Sequence, residues 1–409
     1  MNRAVRAFSP VLMAASLVAT AVLTATACSS NDDATPARSA SPNDSTPTTV
    51  DRSNEPATSV TVFAQGESGY DTFRIPAVVA ARNGTLLAFA EGRRGSANDA
   101  GDVDLVLKQS TDDGATWGPL QVLADDGANF VGNPSPVVDS ATGRITLLAT
   151  HKHGGDDEIE IVTGTSVETN RVWLLASTDD GTTWSTPTDI SATTMRPDWR
   201  WNTVGPGHAT QLSSGPHAGR LVAPANHSTA AVRFGDHVLL SDDGGLTWRI
   251  GAVDDSPGGP GATMPDESTG TQLPDGTVLF SSRDQDEANE WHRLQTTSTD
   301  GGETFTAPYR EQVGLTVPVV QGSLLWDDVT ERALFSAPMN QSARVDLGVR
   351  TSSDRGATWT SGLLISPGPS GYSDLVPVTG GRIGILHETG ATLPWERIDF
   401  TVVGAALIP

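Results

Sequence analysis

Five copies of one eight-residue pattern divide this chain, at Ser110–Trp117, Ser177–Trp184, Ser241–Trp248, Ser298–Phe305 and Ser352–Trp359. Each reads Ser-x-Asp-x-Gly-x-Thr-Trp, with Phe305 in place of the last tryptophan in the fourth. The pattern encodes a tight turn. The aspartate can accept hydrogen bonds from turn amides, the glycine supplies positive φ, the threonine re-enters a strand, and the aromatic plugs the space beneath. The copies start 67, 64, 57 and 54 residues apart. A period of that length leaves room for several strands per unit, so the fold must be a supersecondary unit repeated radially or linearly.

Composition agrees with many short strands. The 409 residues include 42 Gly and 26 Pro, only 6% aromatic and 18% charged residues, and no extended apolar stripe at helical spacing after residue 28. Alternating segments such as Val60–Phe63 and Thr85–Ala90 are punctuated by Asn-Gly and Asp-Gly turns. A net charge of −23 argues against nucleic acid as a partner, since phosphates demand a basic face. Residues 1–28 read as an export leader: Arg3 and Arg6 precede an apolar run from Phe8 to Leu23, and Ala25-Thr26-Ala27 forms a small-residue cleavage site. Cys28 follows directly, and its setting resembles the acylated cysteine of a bacterial lipoprotein, although Ala25 stands where leucine is usual; ordinary leader cleavage is the alternative. As the only cysteine, Cys28 leaves no intramolecular disulfide. Residues 29–59, rich in Ser, Thr, Pro, Asn and Asp, read as a disordered tether before a folded domain at 60–409. An exported monomer held at the outer face of the cell membrane is the expectation. His151-Lys152-His153 has no third and fourth ligand at recognisable spacing, so it reads as a solvated loop, and neither metal nor cofactor is expected.

The repeated turn is similar to the Asp box of sialidases and several unrelated propellers, where it is structural and faces away from the active site. The resemblance runs from Val60 to Pro409 and implies an all-β, six-bladed β-propeller, with five recognisable boxes and one blade shared between the termini. Val60–Phe63 and Ile398–Val403 are the candidates to close that ring by pairing.

Particular residues extend the resemblance. Arg74 in Phe73-Arg74-Ile75-Pro76, Arg283 at the end of Val278–Arg283, and Arg344 in Asn340–Leu347 each resemble one member of the sialidase arginine triad. Three guanidiniums suit a carboxylate-bearing sugar because each offers a permanent charge and a planar fork. A carboxylate nucleophile would be repelled by that substrate. Tyr372, in Ser370-Gly371-Tyr372-Ser373-Asp374, resembles the family's tyrosine nucleophile, and Glu267, 16 residues before Arg283, resembles its base. Asp99 resembles the acid/base, with Asp102 and Asp104 as competitors on spacing alone. Arg93, or Arg94 in its place, resembles a contact to the sugar's 4-hydroxyl, and Glu388 the carboxylate that orients the first arginine. Asn133 stands where relatives often carry an aspartate. Gly205-Pro206-Gly207-His208 reads as a pocket-wall loop or an ordinary turn, and Trp199-Arg200-Trp201 as a sugar platform or inter-blade packing. The function implied is an exo-sialidase acting with retention on sialylated glycans. Transfer to another glycan, or a silent sialic-acid lectin or adhesin, is the alternative.

Overall fold

The computed structural model describes residues 50–231, 233–254, 263–285 and 292–409 of the chain. The leader, Cys28 and the first part of the tether, residues 29–49, lie outside them. Strand β1 (Thr58–Ala64) comes first but belongs to the last unit of the fold. Blade one follows with β2 (Thr72–Ala80), β3 (Leu86–Arg93), β4 (Val103–Ser110) and β5 (Gln121–Ala124), then blade two with β6 (Phe130–Val138), β7 (Ile145–Lys152), β8 (Arg171–Ser177) and β9 (Thr188–Asp189). Between β7 and β8 a short helix, α1 (Glu158–Thr163), starts from a capping box built by Asp157 and Glu160. In blade three, β10 (Trp199–Val204) and β11 (Thr210–Gln211) both pair with β12 (Leu221–Thr229), which leads to β13 (Phe234–Ser241) and β14 (Arg249–Val253). Blade four is β15 (Pro265–Gln272), β16 (Val278–Asp284), β17 (His292–Ser298) and β18 (Arg310–Thr316). Blade five opens with β19 (Ser323–Asp327), β20 (Arg332–Pro338) and β21 (Val345–Ser352).

One long strand then serves two blades. The first part of β22 (Leu363–Val378) pairs with β21 as the outer strand of blade five, and its second part pairs with β23 (Arg382–Thr389) as the inner strand of blade six. Blade six continues through β24 (Arg397–Gly404) and ends on β1, where Val60 faces Phe400 and Thr58 faces Val402. The two segments expected to close the ring therefore do so.

The core lies between blades rather than within them. Phe63, Val376 and Phe400 of blade six pack with Phe73, Val78 and Ala88 of blade one, and equivalent apolar clusters fill the other five junctions. Six junctions among six blades close a β-propeller. The Asp boxes serve these junctions as well as their own turns. In each box the serine hydroxyl accepts the glycine amide while the aspartate accepts the threonine amide and hydroxyl, as in Ser177, Asp179, Gly181 and Thr183. A side chain at Gly114 would strike Phe400, and one at Gly181 would strike Leu87, each in the preceding blade. The box tryptophans follow, with Trp117 5.2 Å from Phe400 and Trp184 5.7 Å from Phe89.

Each box joins the third strand of a blade to the fourth, so blade six, whose fourth strand is the N-terminal β1, has none. The chain before β1 lies in that place. Arg52 N donates to Gly380 O, while Gly404 N donates to Glu55 O and Ala406 N to Ser53 O. This corrects the expected boundary: the docked chain begins by residue 52 and strand pairing at Thr58, ahead of residue 60, because these backbone groups complete the open end of the last blade.

Candidate active site

At the rim opposite the boxes, the innermost strands of five blades lose register over two residues. The interruptions fall between Arg74 and Ala77, Gly132 and Ser135, Trp199 and Asn202, Pro265 and Ser268, and Ser370 and Ser373. Such bulges re-aim side chains that a regular ladder would alternate between faces. Here they deliver Ile75, Asn133, Trp201, Asp266, Glu267 and Tyr372 to the wall of one cavity of about 570 Å³. Ile75 has φ of 58°, a conformation costly for a β-branched residue. Its amide is held by Glu388 Oε1 at 3.0 Å.

Tyr372 is buried, with 6% of its surface exposed. Its Oη lies 2.7 and 2.8 Å from the two oxygens of Glu267, and Arg283 Nη1 is 3.0 Å from the same Oη and 2.6 Å from Glu267 Oε2. Burial raises the pKa of the phenol, and Glu267 raises it further against Arg283, Arg344 and Arg74. Burial likewise raises the Glu267 carboxyl, with Asp266 adding to the effect and Arg283 opposing it. A neutral phenol against a carboxylate that can take its proton is the arrangement this produces.

The three arginines converge on this ring. Arg74 Cζ lies 5.3 Å and Arg344 Cζ 5.6 Å from the Tyr372 centroid, completing the set with Arg283. Glu388 is fully buried and receives Arg74 Nε at 3.0 Å and the Tyr372 amide at 3.1 Å. Gly371 is required here, because a Cβ would collide with Glu388 Oε2. Arg344 Nη2 donates to Val319 O at 2.8 Å. Charge on Arg74 is opposed by burial but favoured by the carboxylates of Glu388 and Asp99.

Asp99 stands at the cavity mouth with 82% of its side chain exposed, 2.8 Å from Arg93 Nη1 and 3.5 Å from Arg74 Nη1. Crowding by the surrounding protein raises its pKa, but Arg93 and then Arg74 lower it by more, leaving it below the usual carboxylate range. Arg93 is nearly inaccessible and is fixed by Glu91 Oε2 at 2.6 Å. Glu91 Oε1 also accepts the Asn133 amide at 2.9 Å, and a side chain at Gly132 would strike that carboxylate. The competitors fall elsewhere. Arg94 pairs with Asp104 at 2.8 Å and stacks 4.5 Å over Tyr70, and Asp102 lies 3.5 Å from Arg94.

Several cavity residues were missed in the sequence. His151-Lys152-His153 is not a solvated loop: His151 stacks on Trp173 at 4.1 Å, and Lys152 is buried at the end of β7 and lines the cavity. Burial lowers the Lys152 pKa against Asp99 and Glu91. Asp266, 2.9 Å from Arg283 Nη2, has its pKa raised to about 6 by burial, with Arg283 opposing and Glu158 adding to the rise. Glu158 reaches the cavity from the first turn of α1. Only the glutamate before an arginine was a visible signal; Asp266 beside it had no pattern of its own. The two tryptophans separate. Trp199 is buried against His227 at 3.9 Å, whereas Trp201 faces the cavity. His208 is absent from the cavity wall; its Nδ1 is 2.7 Å from Asp374 Oδ1, which lies below the site where β2, β22 and β23 meet. Among the described residues no cluster of His, Cys, Asp or Glu is arranged to hold a metal.

A family model described as a BNR repeat-like domain matches residues 84–385. A sialidase of Micromonospora viridifaciens is 33% identical over 365 residues, covering 84% of this chain and 54% of that protein. An exo-alpha-sialidase of Arthroderma benhamiae is 31% identical over 347 residues, covering 78% of this chain and 79% of that protein. Among solved structures, the Hadza microbial sialidase Hz136 aligns with a TM-score of 0.74 at 27% identity, over 84% of this chain and 68% of that one. The chain thus spans about half the length of the first relative and about four-fifths of the second.

Proposed function

Because the chain belongs to the sialidase family of BNR-repeat propellers, we propose that it hydrolyses terminal α-linked sialic acids from glycoconjugates with retention at the anomeric carbon. The contact between Tyr372 Oη and both oxygens of Glu267, enclosed by Arg74, Arg283 and Arg344, carries this reading. The guanidiniums receive the substrate carboxylate as a charge-assisted set. Arg93 and Asn133 line the same cavity, which supports reading them as contacts to the sugar's 4-hydroxyl.

In the first step Tyr372 Oη forms a bond to the anomeric carbon, Glu267 takes the phenolic proton, and the glycosidic bond breaks as Asp99 protonates the leaving oxygen. In the second, water attacks that carbon, its proton passes to Asp99, and the departing phenolate recovers its proton from Glu267. Asp99 must hold a proton to begin. Its free-state partners are Arg93 and Arg74, so a substrate carboxylate competing for Arg74 weakens the interaction that keeps Asp99 ionised. Glu388 acts behind the site by holding Arg74 and the amides of Ile75 and Tyr372 together.

A 3-fluorosialosyl fluoride should trap the intermediate, and peptide mass mapping should find the label on Tyr372. Label on Glu267 or Asp99 would overturn the mechanism, whereas sialoside binding without turnover or label would favour a lectin. The leader and Cys28 further support export and a lipid anchor on the outer face of the membrane. Detergent partitioning should disappear in Cys28→Ser, and release of unmodified wild type into the medium would refute the anchor.

A further inference from the structure

One aromatic side chain beside the catalytic groups has no part in the chemistry above. Trp395 lies in the turn 390–396 between β23 and β24, at the same rim as the cavity but outside its wall. Its ring is 5.8 Å from Arg74 Cζ. Arg74 therefore touches two rings, Tyr372 within the cavity and Trp395 outside it, and its Nη1 also reaches Asp99.

The backbone of the turn that carries this side chain is fixed. The carboxylate of Glu396 accepts the amides of Ala391, Thr392 and Leu393 at 2.8, 2.9 and 2.9 Å, and the Thr392 hydroxyl at 2.5 Å. The following backbone is tied to the blade edge by Gln65 N to Glu396 O at 3.0 Å. Four donors thus converge on one half-buried carboxylate and fix the backbone of residues 391–393. Leu393, two residues before Trp395, is 45% exposed.

We propose that Trp395 forms a binding site for the leaving sugar, the hexose to which the sialic acid is joined. In an exo-acting enzyme the sialic acid fills the closed cavity, and the rest of the glycan must extend past Asp99, which protonates the oxygen between them. Trp395 and Asp99 share the Arg74 guanidinium, so the indole lies on the path that the first aglycone ring takes. The apolar face of a galactose-type ring packs well on an indole, because the sugar's polarised C–H groups meet the indole's negative π face. Glu396 is the positioning residue for that platform.

This inference rests on the sialidase reading, and substrate comparison separates the two. With 3′-sialyllactose the leaving group is a sugar, whereas sialosyl fluoride has none beyond a single atom. In Trp395→Ala, kcat/KM should fall roughly tenfold further on sialyllactose than on the fluoride, the scale of one lost aromatic contact. Trp395→Phe should recover most of the difference. Equal losses on both substrates would mean that Trp395 serves only to hold Arg74, and no loss on either would mean that the indole contacts nothing; each overturns the inference alone. Wild-type protein that releases sialic acid from neither substrate would sink the sialidase reading as well.

Discussion

The Tyr372 hydroxyl bridges both carboxylate oxygens of Glu267, at 2.7 and 2.8 Å, across 105 residues of chain. Neither group sits in a loose loop. Glu267 occupies the interruption in β15 and Tyr372 that in β22, so the two are brought together by the inner strands of blades four and six. Burial penalises charge on both, and one proton shared between them avoids two buried anions.

Asp99→Ala removes a proton donor but leaves that pair intact. Hydrolysis of sialyl-galactosides should fall by about 100-fold or more, while substrates with acidic phenol leaving groups should keep most of their rate, since they need little protonation. Steady-state kinetics on both substrate types checks this; equal losses would remove Asp99 from the acid role.

Arg344→Ala deletes one of the three charges proposed to receive the substrate carboxylate. A hydrogen bond to a charged partner contributes about 1.5–3 kcal/mol, so a 2,3-didehydro sialic acid analogue should bind roughly ten- to a hundredfold more weakly. Calorimetric titration measures it directly. An unchanged Kd would show that Arg344 serves Val319 O rather than the ligand.

Trp248 tests the boxes. It is 3% exposed and packs in the junction between blades two and three, at the rim away from the cavity. Trp248→Ala should lower stability by about 3–5 kcal/mol, with kcat nearly unchanged below the melting transition. Normal melting together with lost turnover would contradict the separation of the two rims.

His208 makes stability pH-dependent. Burial disfavours its protonation, yet Asp374 overcomes this and raises the pKa above its ordinary value of 6.5. The folded state therefore binds the proton more tightly than the unfolded one, and the contribution of His208 is fully present below about pH 6.5. That contribution is lost as pH rises through the raised value. The gap in Tm between wild type and His208→Asn should be widest near pH 5.5 and narrow in alkali. A gap constant with pH would mean that His208 is neutral throughout.

The fold was legible because its turns are local. The chemistry of Ser110, Asp112, Gly114 and Thr116 is complete within a few residues, and the period of the copies reveals the blade. Arg74, Glu267, Arg283 and Tyr372 were found by resemblance to sialidase motifs; the last three line one cavity and Arg74 lies against the Tyr372 ring. Lys152, Asp266 and Glu158 were not found, because their places depend on which way a strand turns at the rim. Alternation assigns neighbours such as Asp266 and Glu267 to opposite faces, and the bulge that turns both to the cavity leaves no mark in composition. Arg93 and Arg94 could not be separated either. Only the buried carboxylates of Glu91 and Asp104, on different sides of the strand pair, distinguish them.

The interrupted inner strands separate the lining of the cavity from the ladder that carries the fold. A bulge residue with ordinary backbone angles, such as Trp201, is outside the regular ladder, so replacing it alters the lining of the cavity without asking the strands below to repack, whereas Gly132 and Gly371 are fixed by the carboxylates of Glu91 and Glu388. The boxes, which fix the spacing of the ring, lie a full strand length away and share no side chain with that lining. Binding preference can therefore drift through substitution at Trp201 while the scaffold goes on folding as before, whereas Asn133, whose φ is 49°, admits few residues other than glycine or aspartate.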